Sequence, residues 1–202
     1  MSSGIIDLSK LYELLNGIDN PYKILRAKTP EGVKYRDIVS SLMSGVSEKS
    51  GFYLWGHFNK KHFWTNIYLG KATLGKVSSL KYRIRDELGE ERAFLLQDKM
   101  TDELDKECRS IYPDKWDSYK KLYERALLKH KSNCIVWTEF ESTNNVIIKE
   151  IENDLIESIN PQSNIHRTTP PTNLRNETGK IVNEFRHQIH EHRDLLRKNK
   201  VK

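Results

Sequence analysis

Two neighbouring stretches are apolar at nearly every position and too short to be helices, GFYLW over Gly51–Trp55 and IYLG over Ile67–Gly70. Side chains alternate between the two faces of a strand, so Phe52 and Leu54 point one way and Tyr53 and Trp55 the other. The same alternation puts Ile67 and Leu69 on one face of the second strand, and Asn66 and Tyr68 on the opposite one. The pattern predicts a hairpin with an aliphatic face and a polar face that carries both tyrosines. A third strand is predicted over Cys134–Phe140 (CIVWTEF) from its β-branched and aromatic content.

Around these strands the apolar period changes to three and four. Asp7–Ile18 reads as a helix with Leu8, Leu11, Leu14 and Leu15 on one face. Thr29-Pro30-Glu31 opens a second helix, Thr29 capping it and Pro30 suiting the first position. Leu80, Ile84 and Leu88 recur every four residues, with Ser78 or Ser79 as the cap. From Gly89 to Lys131 the chain is charged and helical, divided by Pro113. Thr143 is expected to cap a helix reaching about Ile159, with Ile147, Ile148, Ile151 and Leu155 forming its stripe and Glu152 on the flank. Asn160-Pro161 stops that helix. Beyond the TTPPT linker a last helix runs from about Glu177 to Leu196. The order predicts an α+β fold, a small three-stranded antiparallel or mixed sheet flanked by helices. Residues 1–49 form a helical extension, 50–164 a core with a helical insert at about 92–131, and 165–202 a basic linker and helix.

Composition narrows the class. The chain has 202 residues, 37% hydrophobic and 31% charged, which allows one core under a wet surface. No apolar run approaches the roughly 20 residues of a membrane span. MSSGIIDLSK has no basic region followed by an apolar stretch, and Cys108 and Cys134 form no CxxC pair, so a cytoplasmic protein with reduced thiols is expected. The net charge is +6, and the segment from Ile165 onward holds nine basic against four acidic residues, so the tail carries nearly all of the excess. Arg186, Arg193 and Arg197 there are candidate phosphate contacts, as are Lys60 and Lys61 in the hairpin loop HFNKKHF. A solvated loop tip is an equal reading for the two lysines. His187, His190 and His192 come without a carboxylate or cysteine partner set at metal-ligand spacing.

In order along the chain stand Gly51-Phe52-Tyr53, Tyr68-Leu69-Gly70-Lys71-Ala72, an arginine on the following helix, and Glu152, Leu155-Ile156, Pro161 and Asn164. This series resembles the signatures of the GIY-YIG nuclease superfamily over residues 51–88 and 134–164. Arg83 fits the leucine register of its helix best, and Arg85 competes with it. The tyrosines lie 15 residues apart, more than is usual in the family, and Glu87 stands where many members have His or Tyr one turn after the arginine. Read without the resemblance, Arg83 and Glu87 are a surface ion pair and the tyrosines ordinary strand aromatics.

The resemblance implies a β-β-α-β-α core and hydrolysis of phosphodiester bonds in double-stranded DNA. It makes Tyr53 the general base, Tyr68 and Lys71 its companions, Arg83 the phosphate clamp, Glu152 the metal ligand and Asn164 a brace. One carboxylate suits a single Mg²⁺ or a similar divalent ion with waters and phosphate oxygens, whereas a two-metal site needs more carboxylates. A tyrosine with a reference pKa near 10 needs cations around it to act as a base at neutral pH, and Lys71 and Arg83 are expected to supply them. The implied activity is a site-specific, restriction-like endonuclease, with a homodimer possible if both strands of a palindrome are cut. The alternatives are a repair, phage or mobile-element nuclease of looser specificity, and a catalytically silent DNA-binding module.

Overall fold

The computed structural model describes residues 1–15, 29–73, 75, 78–89, 110, 132–142, 144–162, 164 and 175–199. Strand β1 (Ser3–Asp7) leads into helix α1 (Ser9–Leu15), then α2 (Pro30–Leu42) ending in a 3₁₀ turn at Met43–Gly45. Strands β2 (Gly51–Phe58) and β3 (Trp64–Ala72) precede α3 (Leu80–Gly89), and β4 (Cys134–Glu139) precedes α4 (Asn145–Ile159) and α5 (Arg175–Asn199). All strand pairings are antiparallel, in the order β1-β4-β2-β3. No described helix is long and apolar enough to cross a membrane. The insert read at about 92–131 lies outside the described residues apart from Ser110, which is helical.

The sheet has four strands, not three. The segment SGIID pairs with β4 over its whole length, from Ser3 opposite Thr138 to Asp7 opposite Cys134. The extension assigned to residues 1–49 therefore begins as part of the sheet, and its first helix starts at Ser9 rather than Asp7. Asp7 remains at the helix entrance, where its Oδ1 accepts from the Ser9 N–H at 2.8 Å.

Other boundaries follow local chemistry. Thr29 Oγ1 accepts from the Gly32 N–H at 3.1 Å with Pro30 at the first helical position, as expected of a capped start. Ser79 Oγ accepts from the Tyr82 N–H at 3.3 Å, which selects Ser79 over Ser78 as the cap of α3. At α4 the cap is Asn144, whose side chain accepts from the Val146 N–H; Thr143 lies outside the described residues. Asn160 ends α4 in the left-handed region (φ 50°) before Pro161.

Both faces of the sheet are covered. Tyr53, Trp55, Ile67, Ala72, Ile135 and Trp137 pack with Leu11, Tyr35, Val39, Leu80, Ile84 and Leu88 of α1, α2 and α3. Phe52, Leu54, Leu69 and Val136 pack on the other face with Ile148, Ile151 and Leu155 of α4 and Ile181 and Phe185 of α5. Two corrections to the hairpin follow. Its tyrosine face is the buried floor of a helical layer, not a polar face, so Tyr53 and Trp55 are fully covered. Ile67 and Leu69 do not share a face, because the register slips by one. Trp55 pairs with Tyr68 but Gly56 pairs with Asn66, leaving Ile67 as the extra residue of a β-bulge. The bulge brings Ile67 onto the side of Tyr68, and strict alternation along the chain conceals it.

Candidate active site at the edge of strand β3

Strand β3 is an edge of the sheet, with α3 against one face of the hairpin and α4 against the other. A cleft of about 300 Å³ is lined by Tyr53, Tyr68, Lys71, Thr73, Ser78, Arg83 and Glu152. Five of the six residues named as catalytic from the sequence meet here, from four separate elements. Tyr68 and Lys71 lie on opposite faces of β3, since Tyr68 belongs to the α3-side core and Lys71 reaches Glu152 on α4. The cleft therefore wraps around the edge of the strand. Thr73 and Ser78, on the turn leaving β3, were not singled out as site residues, and no pattern in their flanking sequence marks them.

Two glycines make the arrangement possible by having no side chain. A Cβ on Gly70 would lie 2.2 Å from Cζ and 2.4 Å from the hydroxyl of Tyr53. The Tyr53 ring thus lies directly over the Gly70 backbone, its cross-strand partner. A Cβ on Gly51 would lie 2.1 Å from the Thr138 carbonyl, so only glycine lets β2 begin against β4 at that point.

Beneath the cleft, Tyr53 donates from its hydroxyl to Glu87 Oε1 at 2.6 Å, and Trp55 Nε1–H donates to Glu87 Oε2 at 3.1 Å. Glu87 is buried, and Arg83 Nη2 stands 3.8 Å from its Oε1, so the pair is not a surface one. Burial, the Glu87 carboxylate and Tyr68 raise the Tyr53 pKa well above its ordinary value, with Arg83 opposing them. The cationic surround expected to lower it does not prevail, because Tyr53 faces a carboxylate in a dry layer. Tyr68 is half-buried, with its ring 6.5 Å from that of Tyr53. Of the competing arginines, Arg83 lines the cleft, while Arg85 is exposed with its guanidinium 5.5 Å from the Tyr82 ring centre.

Lys71 Nζ and Glu152 Oε2 form a part-buried ion pair at 2.5 Å that ties β3 to α4. Glu152 is the one carboxylate among the lining residues, beside the cations Lys71 and Arg83. Among the described residues no three His, Cys, Asp or Glu side chains gather to hold a metal ion. Among the described residues the cleft thus offers one carboxylate, Glu152, that could serve as a donor to a hard cation.

Asn164 does not line the cleft. Its Oδ1 accepts from the Leu69 N–H and its Nδ2 donates to the Leu69 carbonyl, both at 2.8 Å, between Tyr68 and Gly70. It closes the outer edge of β3 much as another strand would and positions the site residues on either side. Asn164→Ala leaves two edge groups without this partner and is expected to destabilise the protein by about 1–3 kcal/mol, measured by urea denaturation.

The residues expected to touch DNA lie outside the cleft. Lys60 and Lys61 are exposed at the hairpin turn, where Asn59 Oδ1 accepts from the N–H groups of Lys61 (2.9 Å) and Phe63 (3.0 Å). Arg186 and Arg197 are exposed on α5, whereas Arg193 is half-buried with its guanidinium against His190 Nδ1. The three histidines of α5 have separate partners, His187 pairing with Glu191, His190 with Arg193, and His192 with Asp7 and Cys134. No protein-family model, curated protein or solved structure matches the chain.

Proposed function

We propose that the protein is a DNA endonuclease of GIY-YIG type that hydrolyses phosphodiester bonds in the cleft at the β3 edge, with restriction-like site specificity. The observation that carries this reading is the meeting of Tyr53, Tyr68, Lys71, Arg83 and Glu152, from β2, β3, α3 and α4, around one 300 Å³ cleft. The cleft has room for a phosphate group and several waters, and two cations against one carboxylate suit an anionic diester. Arg83 presents a planar fork that binds two non-bridging oxygens at once and favours the added charge of the transition state. Lys71, held at the cleft by Glu152, contributes a second cation toward the phosphate. Tyr53 and Tyr68 orient the attacking water through their hydroxyls. Glu152 would hold Mg²⁺, which when bound neutralises charge on the leaving oxygen.

The test is digestion of several plasmid and linear DNAs with Mg²⁺, followed by sequencing of the ends. Discrete fragments are expected; a smear points to a repair, phage or mobile-element nuclease of looser specificity, and intact DNA to a binding module without hydrolysis.

DNA is held in this reading by Lys60, Lys61, Arg186, Arg193 and Arg197. Each phosphate contact releases counterions, so affinity falls steeply with salt. Changing Lys60 and Lys61 together to alanine is expected to reduce the slope of log affinity against log salt by roughly 2, measured by fluorescence anisotropy in Ca²⁺. An unchanged slope removes the hairpin turn from the interface.

A further inference from the structure

Glu87 is a buried carboxylate to which the signature residues assign no task. Its two oxygens are engaged by different donors, Oε1 by the Tyr53 hydroxyl at 2.6 Å and Oε2 by Trp55 Nε1–H at 3.1 Å. A carboxylate stays in such a layer only when its hydrogen bonds are made, and packing alone does not need one there. Its placement has a chemical consequence. A tyrosine whose proton is directed into a carboxylate turns its oxygen lone pairs away from that carboxylate, free to accept a proton from another direction. Tyr53 contributes to the cleft while its hydroxyl proton points beneath it.

We infer that Glu87 is the positioning residue that makes Tyr53 a base, and that it takes the phenol proton when Tyr53 takes one from the attacking water. This rests on the hydrolytic reading of the cleft. The water proton passes to Tyr53 Oη as the phenol proton passes to Glu87 Oε1. The water oxygen bonds to phosphorus as the bond from phosphorus to the leaving oxygen breaks, and the leaving oxygen takes a proton from solvent. The proton on Glu87 returns to solvent by the reverse path. No free phenolate is formed, which agrees with a Tyr53 environment that disfavours one.

Among the described residues, three groups near this pair are Arg83, Tyr68 and Tyr35. Arg83 stands 3.8 Å from Glu87 Oε1 on the same helix, and Tyr68 approaches Tyr53 from β3. From α2, Tyr35 donates to the Leu88 carbonyl at 2.6 Å, so its hydroxyl proton is already committed. Arg83 is thus the charged side chain beside Glu87 among the described residues.

Glu87→Gln separates this role from packing. The amide oxygen can accept from only one of the two donors, and with Trp55 satisfied, the amide N–H donates to Tyr53 Oη. That reverses the polarity of the Tyr53 hydrogen bond at almost constant shape. Single-turnover cleavage with Mg²⁺ is measured, with DNA affinity in Ca²⁺ and thermal unfolding alongside. Glu87→Gln is expected to lose about 10²- to 10⁴-fold in rate with DNA affinity unchanged. Glu87→Asp should restore part of the rate. Trp55→Phe keeps the carboxylate but removes one of the two donors that fix it, and should lower the rate with DNA affinity unchanged, a test that stands if Glu87→Gln does not fold. A folded Glu87→Gln with the wild-type rate, or an unchanged rate in Trp55→Phe, overturns the inference alone. Absence of any cleavage by wild type overturns the hydrolytic reading beneath it.

Discussion

Gly70→Ala is expected to lose about 3 kcal/mol or more of stability, although it adds a single methyl group to a strand. Its Cβ would sit 2.2 Å from Tyr53 Cζ, a separation at which something must move. Neither partner can move cheaply. The Gly70 backbone is paired with β2, and the Tyr53 ring is fully buried under α3 with its hydroxyl tied to Glu87. Overpacking of this kind typically costs about 1–3 kcal/mol, and breaking the Tyr53–Glu87 bond adds about 1–3 kcal/mol for buried groups left without partners. The cost belongs to the contact, so it should largely vanish in a Tyr53→Ala background, where no ring opposes the methyl. Chemical denaturation of the four proteins of this cycle measures the coupling. Equal costs of Gly70→Ala in both backgrounds would place the strain elsewhere.

Arg83→Ala is expected to reduce single-turnover cleavage by about 10²- to 10³-fold, the range for removing one preorganised donor from a developing charge. Arg83 is suited to that part by its position. It stands at the cleft with about a third of its side chain exposed, leaning on Glu87 at 3.8 Å and on Asp86 Oδ2 at 3.9 Å. Those two contacts aim the guanidinium without burying it. Glu87 is buried and loses this cation in the variant, but it keeps its bonds from Tyr53 and Trp55, so the substitution should lower stability while leaving the protein folded. Arg83→Lys keeps the charge and loses the fork, so it should recover only part of the rate. Rates and melting temperatures measured on the same preparations distinguish lost chemistry from lost folding.

What could be read from the sequence was what depends on a few neighbouring residues. Strands β2, β3 and β4, the Thr29 cap and the stop at Asn160-Pro161 are local features, and each was legible. Five residues of the cleft were legible too, through the order of short strings along the chain. Strand β1 was not, because SGIID is five residues long and pairs with β4 some 130 residues away. The bulge at Ile67 was hidden because alternation assumes an unbroken register, and the break exists only relative to β2. The same limit explains Glu87. Four residues after Arg83, it has the spacing of a surface pair, and its burial is made tolerable by Tyr53 and Trp55, which lie on another element. Asn164 read as a brace, but that it braces by pairing with the Leu69 backbone is a matter of tertiary geometry.

Glu152 is the one carboxylate lining the β3-edge cleft, so the proposed hydrolysis of phosphodiester bonds there depends on it most directly. Glu152→Gln retains the shape of the side chain and a contact to Lys71 while removing the charge. The decisive measurement is single-turnover DNA cleavage in Mg²⁺ beside DNA binding in Ca²⁺, for wild type and Glu152→Gln. Wild type is predicted to cleave, and Glu152→Gln to bind DNA as wild type does while losing about 10²-fold or more in rate. A folded Glu152→Gln that cleaves at the wild-type rate is incompatible with hydrolysis at this cleft.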